Sequence, residues 1–520
     1  MLKRGLVLFL APAAGLAAIF TWSCNNGSQH ITPQPQQPST PTGMLVTFGT
    51  DQPSCDVQSF TVTIQSASLV QESGGASVTI TPPSQAVDFA SLVDFTNILT
   101  FGSVNTGSYS QLTLTLASPQ LTYLDTSQNP PAVVTMPPCN GGGGSNCTSF
   151  SNGTATDTLN LMFSPPLSIT AGNAAGLVLD FDMRDSVQTG TNGLITGVVD
   201  PQITVTPSAA SGNTVGEADS VYGVVQSAPT TTSGNPNFVG SFPLQVQGGV
   251  GQILTIQVTS STEFQGDGVS GLAGDAGLQA LAQGTFLEVD AIVDTSGNIV
   301  AQEVDAESQS VTTGQSGGFL GRVIGVSRDN SGNATGFNLL IGHEAWDMTS
   351  QVPLHSSLAV TVSNATHFWA NWRRWNRDAL QFGPQTVGLA EDVAVYGSLT
   401  AGTGSTPATL AADMVFLRQR NVLGTFQSVL SAGSDNKTGG FTMLPCGDLF
   451  KGQLITVLTF GDSRFHALGG LSGLSAGPII NVSGLLFYEQ QNSPANQQPA
   501  WTAPTWVMQA KQIHKLRPQQ

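Results

Sequence analysis

This sequence predicts an all-β protein, with an N-terminal β domain followed by three tandem small β-barrels. Three observations lead there. Apolar residues alternate with Thr and Ser, as in Phe60-Thr61-Val62-Thr63-Ile64 and Leu112-Thr113-Leu114-Thr115-Leu116, which is the period-two pattern of a strand with one buried face. Clusters of Gly, Asn, Asp and Pro interrupt these runs at short intervals and read as turns. In the last roughly 300 residues, one order of short apolar segments recurs about every 100 residues, so each copy is a domain and not a solenoid turn. Only Asp88 to Leu99 and Leu272 to Ala282 read as helical, with two or three turns each.

The elements follow in chain order. Lys3 and Arg4 precede a 15-residue apolar run, Leu6 to Phe20, which Thr21-Trp22-Ser23-Cys24 breaks. A membrane span needs about 20 apolar residues, so residues 1–23 read as an export signal peptide. Cys24 stands where a bacterial lipoprotein carries its lipidated first residue. Ser23-Cys24 fits a lipobox, although Thr21 replaces the usual Leu and Trp22 is bulky. Ordinary signal-peptidase cleavage after Ser23 is the alternative. Five cysteines leave an odd thiol in an oxidising compartment, whereas lipidating Cys24 leaves an even four. Residues 24–42, rich in Pro, Gln, Ser and Thr, read as a solvated tether behind that anchor.

Residues 43–207 form the first domain. The repeats occupy 220–310, 318–419 and, in a looser copy, 420–516. Tyr222-Gly223-Val224-Val225, Leu320-Gly321-Arg322-Val323 and Leu423-Gly424-Thr425-Phe426 open the three units. Thr262-Glu263-Phe264 and Thr366-His367-Phe368 recur at matching places in the first two. Five or six short strands with a Gly in the first suit a small closed barrel, whose tight bends need Gly. Closure also removes exposed edges, which suits a chain with few charges to protect them.

Two resemblances rest on these residues. Gly43 to about Pro207 resembles a domain of unknown function common in exported bacterial lipoproteins. The features carrying it are Gly43-Met44-Leu45-Val46, the Asp51-Gln52-Pro53 turn, Gly107-Ser108-Tyr109 and Leu177-Val178-Leu179-Asp180-Phe181-Asp182. That family usually has Asp-Ala-Pro at the turn, and it implies a β-sandwich of immunoglobulin or prealbumin type. The repeats resemble a second uncharacterised family and imply OB-like barrels. The expected fold is therefore an Ig/prealbumin-like β-sandwich followed by three OB-like barrels. Neither family implies an activity.

Composition narrows the function. Only 9% of residues are charged and 40% are hydrophobic, against about 25% charged in average domains. The net charge of −17 is unevenly spread. From Asn25 to Gly318 there is one basic residue, Arg184, against 22 acidic ones, whereas Phe319 to Gln520 holds 13 basic and 11 acidic residues. An acidic, Trp-free front half repels polyanions, so nucleic acid is not expected as a partner.

Catalytic and metal-binding patterns are weak. Gly473-Leu474-Ser475-Ala476-Gly477 has the letters of a nucleophile elbow, but Pro478 and a strand-like Ile479-Ile480-Asn481-Val482 follow where that motif needs a helix. The histidines show no close pairing and the cysteines no C-x-x-C, so no metal or other cofactor is expected. Asp294 to Asn298 and Asp329 to Asn333 read as turns. Asp180 and Asp182 share a strand face, which Arg184 is expected to share and neutralise. Cys139 and Cys147 bracket a glycine-rich loop that can bring them to disulfide distance. Cys55 and Cys446 remain. Pairing them ties the first domain to the last barrel, whereas pairing Cys55 with Cys139 or Cys147 leaves one thiol over.

The densest cluster is His367-Phe368-Trp369-Ala370-Asn371-Trp372-Arg373-Arg374-Trp375-Asn376-Arg377. Trp369, Trp372 and Trp375 offer faces on which sugars stack, and Arg373, Arg374 and Arg377 offer bidentate donors. The other reading is a short helical turn whose tryptophans, spaced by three, plug the second barrel. The expectation is a non-enzymatic lipoprotein of the bacterial cell envelope, at the outer membrane or cell surface. It would be held there by its lipid and would act as a binding, adhesive or structural module, with a polysaccharide or a surface protein as partner. The alternatives are a polysaccharide hydrolase without a recognisable motif and a ligand-free spacer.

Overall fold

The alternation of apolar residues and threonine is realised as long strands. In Val57–Gln71, Phe60, Val62 and Ile64 are buried while Thr61 and Thr63 are only partly covered. In Gly107–Asp125, Leu112, Leu114 and Leu116 alternate in the same way with Thr113 and Thr115. The computed structural model describes residues 41–516 apart from 53–54, 56, 75–76, 81–84, 93–96, 129–130, 140–145, 191–193, 209–211, 233, 247–251, 267, 309–316, 345–350, 371–379, 404–406, 451, 467, 476 and 491–504. Cys24 and the tether lie outside the described residues.

The first domain has one core chiefly between two sheets, to which a short three-stranded patch of Ser149–Phe150, Val187–Thr189 and Ile195–Val199 adds Phe150, Val187 and Val199. In the smaller sheet Thr42–Gln52 is central, parallel to Ala174–Asp182 and antiparallel to Asn97–Asn105, and Ile203–Ser208 flanks Ala174–Asp182. The larger sheet is built on the antiparallel pair Val57–Gln71 and Gly107–Asp125. Leu45, Leu177 and Phe181 from the first sheet meet Phe60, Val62 and Leu114 from the second, and the Phe181 ring lies 5.1 Å from Phe60 and 4.8 Å from Phe89. The expected helix over 88–99 does not form. Gln85–Asp88 is a strand, Phe89–Leu92 one turn of 3-10 helix, and Asn97–Asn105 the edge strand of the smaller sheet. Sheet pairing there overrides a weak local helical preference. Within 272–282 the helix is only Gly274–Ala280.

Three closed barrels follow, each with the same pairing. Strand one pairs with strands two and four, two with three, and four with five, and three and five close the barrel in parallel, which is the OB-like order. The first barrel is Thr214–Val225, Gly240–Val246, Ile253–Gly266, Phe286–Asp294 and Ile299–Ser308. The second is Gly317–Arg328, Ala334–Glu344, Ser357–Thr361, Asp392–Thr400 and Thr409–Leu417. The third, though looser in sequence, closes as fully through Gln419–Ala432, Gly439–Pro445, Ile455–Thr459, Ile479–Gln490 and Thr505–Lys515.

Two devices recur in every copy. The glycine of strand one is forced by close approach, since a Cβ on Gly223, Gly321 or Gly424 would stand 2.4, 2.0 or 2.5 Å from a strand-two carbonyl oxygen. In addition, a hydroxyl clamps the irregularity in strand three, which is a register shift in the first barrel and a gap in the other two. Thr262 accepts from the Thr259 N–H at 3.0 Å and donates to the Ala301 carbonyl at 2.8 Å. Thr366 does the same with Ser363 and Ala412 (3.0 and 2.7 Å), and Ser463 with Phe460 and Ala510 (2.9 and 2.8 Å). Ser463-Arg464-Phe465 is thus the third copy of the Thr-x-Phe segment, with serine keeping the hydroxyl.

The domains share cores. Val46, Phe48 and Ile98, on the outer face of the smaller sheet, enter the core of the first barrel. Phe286 of that barrel packs with Leu320, Ala394 and Tyr396 of the second. Leu458, Leu485, Phe487 and Val507 of the third join the core of the second, while Leu124 of the first domain joins that of the third. A disulfide between Cys55 and Cys446, 391 positions apart, fastens the first domain to the third barrel, and a second one closes the Cys139–Cys147 loop.

Candidate functional site

The strand His367–Ala370 continues strand three of the second barrel past the Thr366 clamp and runs parallel to Met414–Leu417. Alternation along it sends Ala370 inward and leaves Trp369 54% exposed, an unusual place for an indole. Trp369 starts in a strand, so the expected helical plug does not begin there. In the other barrels the place two residues after the aligned His367, Glu263 and Arg464 holds Gln265 and His466. Among the described residues Trp369 is the one exposed large aromatic, and Trp506 is buried. Trp372, Arg373, Arg374, Trp375 and Arg377 lie outside the described residues.

A second candidate was missed in the sequence. Where the first domain and all three barrels meet there is a cavity of about 210 Å³, walled in part by Gln58, Tyr222, Arg322, His343, His355, Arg418 and Arg420, with the Cys55–Cys446 bridge beside them. Arg322 reaches it from strand one of the second barrel and pairs with Asp392 through both Nε (2.9 Å) and Nη2 (3.2 Å), while its Nη1 donates to Gln58 of the first domain at 2.7 Å. Arg418 reaches back to Glu288 of the first barrel at 2.7 Å, with both groups buried. His355, held at a positive φ of 59°, places Nε2 3.1 Å from Asp88 of the first domain. Burial raises the Asp88 pKa, but the hydrogen bond and charge of His355, with the Phe60 N–H at 2.8 Å, outweigh it and hold the carboxyl below its usual range. His343 stacks on Tyr222 at 4.9 Å, and burial, reinforced by His355, pushes its pKa down to about 4, so the ring is neutral at pH 7. Arg420 lies over the Phe450 ring, 5.4 Å from its centroid, and donates to the carbonyls of Ala390 and, at 3.4 Å, Asn421.

The arrangement gathers three guanidinium and two imidazole groups around one space, in a chain where bases are scarce. Arg322, Arg418 and His355 face Asp392, Glu288 and Asp88, and His343 is neutral, so among the described residues Arg420 is the excess positive charge. The site had a sequence signal in Arg418-Gln419-Arg420, two bases in three residues of a base-poor chain, which the fold places where strand five of the second barrel passes into strand one of the third. A larger hollow of about 910 Å³ among the first domain and the second and third barrels has Arg328 as its one charged wall residue among those described. Arg328 already donates to carbonyls, among them those of Gly332 and Val387.

The remaining sequence candidates resolve as structure. Asp182 caps the short helix Met183–Ser186 by accepting from the Asp185 N–H at 3.1 Å. Arg184 is on that helix and not on the strand face, and it lies 3.8 Å from Asp182 and 3.7 Å from Asp185. Asp294 and Asp329 each accept backbone N–H groups of their own hairpin turns. Ser475 follows a 3-10 turn and precedes the strand Ile479–Gln490, the reverse of an elbow. Among the described residues, no group of three or more His, Cys, Asp or Glu is placed to hold a metal ion.

Residues 42–196 match a family described as a domain of unknown function, DUF4382, and residues 249–305, inside the first barrel, match another such family, DUF5666. No curated protein matches the chain. A solved structure titled "drosophila Unr CSD456" covers 56% of this chain and 97% of its own, at 8% identity and a TM-score of 0.13. A superposition that loose carries no argument, and the barrel assignment rests on strand pairing.

Proposed function

We propose that this chain is a non-catalytic binding protein of a bacterial cell envelope, exported and held by lipid on Cys24, that contacts polysaccharide through Trp369 and the aromatic, arginine-rich run behind it. One observation carries the reading, the exposed indole of Trp369 at a place where the other barrels have Gln265 and His466. A flat, exposed indole stacks on the apolar face of a sugar ring. Two disulfides suit an oxidising compartment. Shared cores between neighbouring domains suit a stiff platform that displays one surface.

The test is retention of the full chain by a panel of insoluble and soluble polysaccharides, beside Trp369→Ala. Retention that the variant loses supports the site, and equal retention by both refutes it. Retention of neither favours a protein partner or a spacer. Labelling of the chain by a radiolabelled fatty acid, abolished by Cys24→Ser, tests the anchor.

A further inference from the structure

We propose that the junction cavity binds a small oxyanion, the carboxylate or phosphate group of a low-molecular-weight solute, on the guanidinium of Arg420. The argument rests on which charges in the cavity are already matched. Arg322 has Asp392, Arg418 has Glu288 and His355 has Asp88. Arg420 is only 7% exposed, and among the described residues no carboxylate bonds it; its hydrogen bonds go to two neutral carbonyls. Burying a cation without a counter-charge is strongly unfavourable. A second cation, Arg322, adds repulsion. Burial first, and Arg322 after it, bring the Arg420 pKa down to about 9, with Asp392 opposing them. At pH 7 the group is still positive. An anion seated in the cavity removes the penalty, and a planar guanidinium matches carboxylate or phosphate oxygens two at a time.

Size sets the class of ligand. About 210 Å³ is below the 300–1,000 Å³ of ordinary ligand pockets, which excludes a sugar chain and admits a compact ion. Apolar wall residues such as Leu340 and Val422 lower the local dielectric and strengthen each contact. This inference is independent of the Trp369 reading, which concerns a different face of the second barrel.

The experiment is calorimetric titration of the full chain, at neutral pH and low salt, with inorganic phosphate in one arm and succinate in the other. The expected result is one saturable site for at least one probe, and the preferred probe distinguishes phosphate from carboxylate. Arg420→Gln should weaken binding by roughly tenfold or more, as expected for loss of charged hydrogen bonds. Gln58→Glu is nearly isosteric and gives Arg322 a second carboxylate. It should also weaken binding while leaving the fold intact, so it decides the matter if Arg420→Gln does not fold. Absence of binding by both probes, or wild-type affinity in the folded variants, overturns the proposal.

Discussion

Removing the Cys55–Cys446 bridge should destabilise the protein far more than removing the Cys139–Cys147 bridge. Both perturbations delete one disulfide, so the difference lies in the loop each closes. The first joins residues 391 positions apart and the second residues 8 apart. If a bridge acts by restricting the unfolded chain, its worth grows with the logarithm of loop length, giving about 6 kcal/mol for the long loop and about 2.5 kcal/mol for the short one. The larger figure is a ceiling, because a real denatured chain is more compact than the ideal one. The long bridge also fastens the first domain to the third barrel, whose core Leu124 of the first domain enters. The assay is guanidinium denaturation of Cys55→Ser/Cys446→Ser and of Cys139→Ser/Cys147→Ser, followed by tryptophan fluorescence and circular dichroism. The long-loop variant should unfold at clearly lower denaturant, and its two probes should separate as the domains uncouple. If it unfolds with the wild type while the short-loop variant is the weaker, the chain-entropy reasoning is refuted.

Other outcomes follow from buried polar groups. Thr262→Val strands the Thr259 N–H and the Ala301 carbonyl, and should cost about 2–3 kcal/mol, whereas Thr262→Ser keeps the clamp and should cost less than about 1 kcal/mol in the same denaturation assay. Glu391 is buried, and although it accepts from the N–H groups of Gly388 (2.9 Å) and Tyr488 (2.8 Å), burial pushes its pKa from 4.5 up to about 8. Because the folded value is the higher one, its stabilising effect is complete below about pH 4.5 and is lost as pH rises through about 8. The denaturation midpoint should therefore fall over that window, and Glu391→Gln should flatten the decline; an unchanged slope in the variant would show that other groups cause it. Trp369→Ala, being at the surface, should leave the midpoint within about 0.5 kcal/mol of wild type, so any loss of polysaccharide retention reports binding and not folding.

Much of the fold could be read locally. A period-two alternation such as Phe60 to Ile64 has one physical solution near a core, and Gly223 and Gly321, expected to allow tight bends, mark instead a close approach to strand two that a Cβ would block. The third copy of the Thr-x-Phe segment is hidden in the sequence because serine replaces threonine in Ser463-Arg464-Phe465, although the hydroxyl is what matters. The helix expected near Asp88 failed because nothing local shows that Asn97–Asn105 completes a sheet as the edge strand beside Thr42–Gln52. Trp369 was legible as an outlier, but its exposure was not, since the pleat of a strand and not a helical spacing sets which way it points.

The chain by itself determined the strand-rich architecture, the tandem repeat and the uneven charge, because alternation, turn chemistry and composition are carried by neighbouring residues. Only the tertiary structure decided which cysteines pair, that neighbouring domains share cores, and that Arg322, Arg418, Arg420, His343 and His355 meet around one cavity. Those facts join residues tens to hundreds of positions apart. Their energies depend on burial and on the distance between charges, and no local pattern of residues contains either.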